Sequence, residues 1–166
     1  VFLSLGSNLG DREALIVKTI KQLNKEFEVL SLSPVYETPP LGFEADNNFL
    51  NMCVMLKTKK TPLEVLSICQ DIEHDLGRRR SSSSKGYESR PIDIDILLFD
   101  DLIVETENLT IPHKFLNERK FVLQPLNDID PLLVEPKKNK TINTLLNECN
   151  DKSRILLYKK KLLTIS

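Results

Sequence analysis

Arg90-Pro-Ile-Asp-Ile-Asp-Ile-Leu-Leu-Phe99 is the stretch whose reading decides the fold. Its apolar and acidic residues alternate with a period of two, the signature of a β-strand. Ile92, Ile94, Ile96 and Leu98 fall on one face, and Asp93 and Asp95 share the other. Strand rise puts their Cβ atoms roughly 6–7 Å apart. Two carboxylates that near repel each other unless a cation intervenes. Mg²⁺ suits such a pair, because it takes one or two carboxylates and completes its shell with water and substrate phosphates. Just upstream, Arg78, Arg79, Arg80, Lys85 and Arg90 supply cations suited to phosphate. An amphipathic strand with a solvated acidic face explains the same pattern without chemistry, since Asp-x-Asp is a loose motif.

Working outward, Val1 to Leu5 reads as a short apolar strand, and Asp11 opens a helix with Ile16, Ile20, Leu23 and Phe27 at helical spacing. Residues 28–37 read as extended, and Thr38-Pro-Pro-Leu-Gly42 as a loop, because two prolines stop a helix. Phe49 to Lys57 is a further extended segment. Thr61 and Pro62 cap and open a second helix, whose buried stripe is Val65, Leu66, Cys69, Ile72 and Leu76. Gln70 and Glu73 are neighbours on its other side. Residues 78–90 form an Arg- and Ser-rich loop that buries little and is expected to move. Thr141 to Leu146 reads as a short helix, while Arg154 to Ile165 fits strand or helix equally. The order β-α-β-β-α-β predicts an α+β fold, a ferredoxin-like antiparallel sheet with helices packed on it. No repeat or linker divides the chain, so residues 1–166 are expected to form a single domain.

Composition narrows the function. Hydrophobic residues make up 40% and charged ones 28%, which describes a folded chain rather than a disordered one. A net charge of -1 argues against general nucleic-acid binding and confines any basic site to a local patch. Cys53, Cys69 and Cys149 are scattered and odd in number, which suggests a reducing compartment and no disulfide framework. No apolar run reaches membrane-spanning length. No signal peptide is visible, and Val1 begins abruptly inside a strand-like run, as a trimmed N-terminus would. The expectation is a cytoplasmic protein that binds neither nucleic acid nor membrane, as a monomer, with a dimer left open.

Of the five glycines, none is expected inside a helix or strand. Gly6-Ser-Asn-Leu-Gly10 before a helix has the look of a phosphate-binding turn but lacks the Walker and dinucleotide patterns, so a plain strand-to-helix turn is the better reading. Phe49 and Asn51 share a strand face, and Phe121 is a second aromatic near a loop. Both rings could be core. They could also sandwich a flat ring whose edge Asn51 reads. His74 reads as a surface residue, and His113, after a proline, as a phosphate contact with Arg119 six residues on. Zinc is not expected without a second histidine at ligand spacing or a cysteine pair.

Taken in order, Leu5-Gly-Ser-Asn-Leu-Gly-Asp-Arg12, Tyr36-Glu-Thr-Pro-Pro-Leu-Gly42, Phe49-Leu-Asn51, Gln70-x-x-Glu73 with Gly77-Arg78, Arg90-Pro-Ile-Asp-Ile-Asp-Ile96, Ile111-Pro-His113 and Glu118-Arg-x-Phe-Val-Leu-x-Pro-Leu126 resemble the 6-hydroxymethyl-7,8-dihydropterin pyrophosphokinase family. The resemblance covers about residues 1–131 and rests on seven motifs in register. It implies transfer of pyrophosphate from ATP to the hydroxymethyl of the reduced pterin, releasing AMP, in folate biosynthesis. It implies that Asp93 and Asp95 ligate two Mg²⁺ ions, with Arg78 and Arg90 neutralising charge on the transferred group. Gln70, Glu73, Arg80, Ile96, Thr110, His113 and Arg119 match ATP-site positions. Thr38, Pro39, Leu41, Phe49, Asn51 and Phe121 match the pterin pocket, and Tyr87 stands where some members seal it with tryptophan.

Departures lie in the serine-rich 81–85 stretch, in Tyr87, in Phe49 for a tyrosine and in Asn108 for an arginine near ATP; none removes an element of the chemistry. A nucleotidyltransferase also uses a Gly-Ser turn and an Asp-x-Asp strand, but there the two usually lie on consecutive elements. A non-catalytic ligand-binding module would leave the Asp pair and the arginines without a purpose.

Overall fold

The computed structural model describes residues 1–40, 47–78 and 89–164. In chain order its elements begin with strand β1 (Phe2–Ser7), helix α1 (Arg12–Glu26) and strands β2 (Glu28–Leu32), β3 (Val35–Thr38) and β4 (Phe49–Lys57). Helix α2 (Pro62–Asp75), strand β5 (Asp93–Leu98), and the short strands β6 (Val104–Glu105) and β7 (Thr110–Ile111) follow. A 3-10 turn at Leu116–Glu118 leads into α3 (Lys120–Ile129), and then come β8 (Val134–Glu135), β9 (Lys140–Thr141), α4 (Ile142–Glu148) and β10 (Leu156–Lys159).

Local chemistry starts the helices. The Asp11 carboxylate accepts the Ala14 N–H, and Thr61 with Glu64 forms a capping box ahead of Pro62. Each satisfies backbone N–H groups that a helix start would otherwise leave bare. The main sheet is antiparallel, in the order β10-β3-β4-β1-β5, with β2 pairing the second half of β4. Helices α1 and α2 cover one face, where Ile16, Ile20, Val65 and Cys69 pack on Leu3, Leu5, Met52, Ile94 and Ile96. Helices α3 and α4 cover part of the other, where Leu123, Leu126 and Ile142 pack on Phe2, Cys53 and Leu98. Because α3 begins only at Lys120, the end of that face bearing Gly6, Asn51 and Asp93 opens into a cavity.

An antiparallel α+β architecture is what the strand and helix order predicted. Three details differ, and a segment left open by local pattern takes one form. Leu98 does not follow Ile92, Ile94 and Ile96, because a register shift between Phe2 and Leu3 turns it into the core under α3. The extended 28–37 run is two strands, broken where Ser33 Oγ accepts the Cys53 N–H at 2.9 Å and Pro34 supplies no donor. Gly6 lies inside β1, opposite Asn51 and Asp93, rather than beyond it. Within Arg154 to Ile165, which local pattern left open, Leu156–Lys159 is an exposed edge strand on β3.

Candidate active site

Asp93 and Asp95 leave the same face of β5, as their alternation predicted, and both line the cavity. Arg90 stands 3.2 Å from Asp93 Oδ2. Arg78 is paired both with Asp93 and, at 2.5 Å, with Glu73 Oε1. The same Glu73 oxygen accepts the Ile94 N–H at 2.7 Å. Glu73 is buried, so it joins the end of α2 to the start of β5 and holds Arg78 against the acidic pair. On the opposite wall His113 Nε2 approaches Asp95 Oδ2 to 3.9 Å, and its Nδ1 accepts the Phe115 N–H.

The same cavity holds Thr38, Pro39, Phe49, Asn51, Arg119 and Phe121. Asn51 Nδ2 donates to Thr38 Oγ1 at 2.7 Å, which fixes which way the buried amide faces. A Cβ on Gly6 would lie 3.3 Å from Asn51 Oδ1, so the residue at this strand position leaves space for that oxygen. The Arg90 guanidinium lies 5.8 Å from the Phe49 ring centroid, and that of Arg119 lies 5.8 Å from Phe121 and 4.5 Å from Phe115. Each cation is thereby carried on an aromatic face, next to both the apolar slot and the carboxylates.

The structure therefore brings ten of the residues singled out in the sequence into one cavity: Thr38, Pro39, Phe49, Asn51, Arg90, Asp93, Asp95, His113, Arg119 and Phe121. Arg78 joins them through Asp93. Gln70 is exposed on α2, Ile96 points into the opposite core, and Thr110 pairs with Glu105 in the β6–β7 hairpin; these and Glu73 do not line the cavity. Leu41, Arg80 and Tyr87, with most of the 78–90 loop, lie outside the described residues. Ser4, Gly6, Leu97 and Val122 line the cavity without having been singled out for it. Leu97 was within reach of the sequence, since it continues the Asp93 and Asp95 alternation on β5; Ser4 and Gly6 share that face only through the pairing of β1 with β4 and β5, and Val122 comes from α3.

The Gly6–Gly10 turn has a task that its sequence did not show. Asn8 is fully buried; its Oδ1 accepts the Arg90 N–H at 2.7 Å and its Nδ2 donates to Ser89 Oγ at 3.0 Å. Its own N–H donates to the Arg90 carbonyl. The turn grips the backbone that presents Arg90.

Burial, then the charges of Asp93 and Glu73, push the Asp95 carboxyl up to about 7. Its side chain nevertheless keeps 40% of its surface open to the cavity, so a cation can reach it. Burial, then Arg119, brings His113 down to about 4, so it is a neutral imidazole near pH 7, with its proton on Nε2. These shifts act oppositely on stability. A folded Asp95 that holds its proton to about pH 7 stabilises the native state at low pH, and this contribution is lost as pH rises from roughly 4 to 7. His113 instead costs stability as pH falls below its ordinary value. Asp95→Asn removes only the first effect. In EDTA the variant is expected to melt higher than the parent at pH 8 and with no advantage by pH 4; parallel melting curves across that range contradict the assignment.

Among the described residues no group of three or more His, Cys, Asp or Glu could hold a metal ion. Asp93 and Asp95 do fit Mg²⁺, which needs only one or two carboxylates when phosphate supplies other oxygens. The raised Asp95 is a carboxylate short of positive charge.

Residues 2–131 match the family described as 7,8-dihydro-6-hydroxymethylpterin-pyrophosphokinase. A 2-amino-4-hydroxy-6-hydroxymethyldihydropteridine pyrophosphokinase of Aquifex aeolicus is 39% identical over 155 residues, covering 90% of this chain and 95% of that protein. The protein of the same description from Porphyromonas gingivalis is 44% identical over 135 residues, covering 80% and 92%. Among solved structures, wild-type Plasmodium falciparum HPPK-DHPS with pteroate superposes with a TM-score of 0.70 at 19% identity, a likeness of fold. It covers 89% of this chain and 43% of that one, so the present chain spans less than half of that longer polypeptide.

Proposed function

Since this chain belongs to the 7,8-dihydro-6-hydroxymethylpterin-pyrophosphokinase family, we propose that its cavity holds ATP and the reduced hydroxymethylpterin side by side and moves pyrophosphate from one to the other on an Asp93/Asp95 metal site. The observation that carries this is the meeting of an aromatic slot, two carboxylates and arginines in one cavity. In this reading Phe49 and Phe121 bracket the flat bicycle and Asn51, oriented by Thr38, reads its edge. Pro39 and Leu41 complete the pterin side, with Tyr87 as its cover. Asp93 and Asp95 would hold the two Mg²⁺ ions. When bound, Mg²⁺ supplies polarisation of the attacked phosphate and a lower pKa for the substrate hydroxyl.

The protein's own groups position and neutralise. The hydroxymethyl oxygen forms a bond to the β-phosphorus, the bond from that phosphorus to the α–β bridging oxygen breaks, AMP leaves with that oxygen, and the hydroxyl proton passes to solvent. Arg78 and Arg90, which face Asp93 here, would neutralise charge building up on the transferred group. Neutral His113 donates a hydrogen bond from Nε2 without adding charge, and Arg119 adds a fixed cation. Arg80, and Gln70, Glu73, Ile96 and Thr110 outside the cavity lining, are assigned to the nucleotide by resemblance alone.

We also read the chain as one ferredoxin-like domain, since β5-β1-β4 with β2 and β3 beyond follows that strand order. A cytoplasmic monomer belongs to the same proposal; among the described residues no helix is long and apolar enough to cross a membrane. The test is incubation with ATP, Mg²⁺ and 6-hydroxymethyl-7,8-dihydropterin. AMP and the pterin pyrophosphate are the expected products. Released pyrophosphate would instead indicate nucleotidyl transfer, and tight pterin binding with no ATP turnover a binding module.

A further inference from the structure

Arg12 stands at the first position of α1, where a cation is misplaced for the helix itself. The N-terminal end of a helix carries partial positive charge and favours Asp or Glu. A residue set against its local preference points to a task elsewhere. The Arg12 side chain leaves the helix and reaches strands β3 and β4. Its Nη1 donates to Glu37 Oε1 at 2.8 Å and to the Asn48 carbonyl at 2.8 Å. Both side chains of the ion pair are about three-quarters covered, at 24% and 26% exposure, so the pair is neither fully solvated nor sealed in the core.

The two acceptors sit at particular places. Glu37 immediately precedes Thr38 and Pro39, one wall of the cavity, and Asn48 immediately precedes Phe49, the aromatic of the adjoining wall. The β3–β4 ladder runs Tyr36 to Asn51, Glu37 to Leu50 and Thr38 to Phe49, and it ends there. The Asn48 carbonyl therefore lies just past the last cross-strand pair, where a ladder frays. Arg12 bonds the chain on both sides of that end with one guanidinium. Both bonds leave the one nitrogen Nη1, whose two N–H groups are held in fixed directions by the guanidinium plane; a lysine ammonium could reach the same acceptors but on a freely turning head.

We propose that Arg12 is a positioning residue that fixes the spacing of the Thr38 and Phe49 walls, and so sets affinity for the pterin without touching it. The inference rests on the reading of this cavity as the pterin slot. It predicts a selective effect. The groups facing phosphate, Arg90, Asp93, His113 and Arg119, are carried on other elements and do not depend on Arg12.

Equilibrium titration of 6-hydroxymethyl-7,8-dihydropterin in the presence of Mg²⁺ and a non-hydrolysable ATP analogue tests this. Arg12→Met keeps most of the stem and removes both hydrogen bonds. It is expected to weaken pterin binding by about five- to tenfold, roughly one order of magnitude at most, with analogue affinity and kcat at saturating pterin near the parent values. Arg12→Lys should recover part of the loss, and Glu37→Gln should fall between Met and parent. Phe49→Ala is the control for the slot. If Phe49→Ala weakens pterin while Arg12→Met and Glu37→Gln do not, the positioning role is overturned and the slot stands. If Phe49→Ala also leaves pterin affinity intact, the slot reading itself fails. Equal loss of both ligands in Arg12→Met and Arg12→Lys, accompanied by a lowered Tm, makes Arg12 merely structural and likewise overturns the proposal.

Discussion

Asp95→Ala is expected to lower kcat by roughly a thousandfold or more, and Asp93→Ala by a similar factor. A carboxylate that holds metal in the transition state contributes several kcal/mol, and about 4 kcal/mol is three decades in rate. The two variants should differ in stability. Asp95 sits beside Asp93 and Glu73 with its carboxyl held up near 7, so its removal relieves repulsion and the metal-free Tm should hold or rise. Asp93 instead pairs with Arg78 and Arg90. Losing it takes acceptors from two half-buried cations, so Asp93→Ala should melt lower than Asp95→Ala. Steady-state kinetics with ATP and Mg²⁺, alongside melting curves in EDTA, read both effects. Turnover near the parent rate in both variants removes the metal assignment.

Phe121→Ala is expected to weaken pterin binding by tenfold or more, about 1.4 kcal/mol or above, while ATP-analogue affinity changes little. Stacking of a flat ring adds about 0.5–1.5 kcal/mol beyond the area it buries. Phe49→Ala should do the same to pterin but carries a second cost. Phe49 is buried at 9% exposure, and truncating a core phenylalanine costs roughly 3–5 kcal/mol. Phe121, partly buried at the start of α3, should lose much less stability. The pair of variants thus separates slot from core. A large fall in Tm with pterin affinity per folded molecule unchanged makes these rings packing residues only.

These expectations depend unevenly on sequence and structure. The shared face of Asp93 and Asp95 was legible because alternation is a local property of an extended chain. The starts of α1 and α2 were legible from Asp11 and from Thr61 with Pro62, since a cap bonds N–H groups only two or three residues away. The pairing of Phe49 with Asn51 on one face was legible for the same reason as the Asp pair. Which residues would join them was not. Asn8 grips Arg90 across 82 positions, and Arg12 reaches Glu37 across 25. The register shift that moves Leu98 to the other core arises from where β5 meets β1, and nothing within β5 records it. Gly6 is a strand residue because β1 is paired on both sides there, with Asn51 of β4 and Asp93 of β5. The cavity exists because α3 begins only at Lys120 and leaves that end of the sheet face uncovered. By itself the sequence determined the starts of α1 and α2, the alternating faces of β4 and β5 and the chemistry those faces carry, because these follow from contacts a few residues apart. Only the tertiary structure decided which faces meet, because strand register and helix placement are settled by packing between segments far apart in the chain.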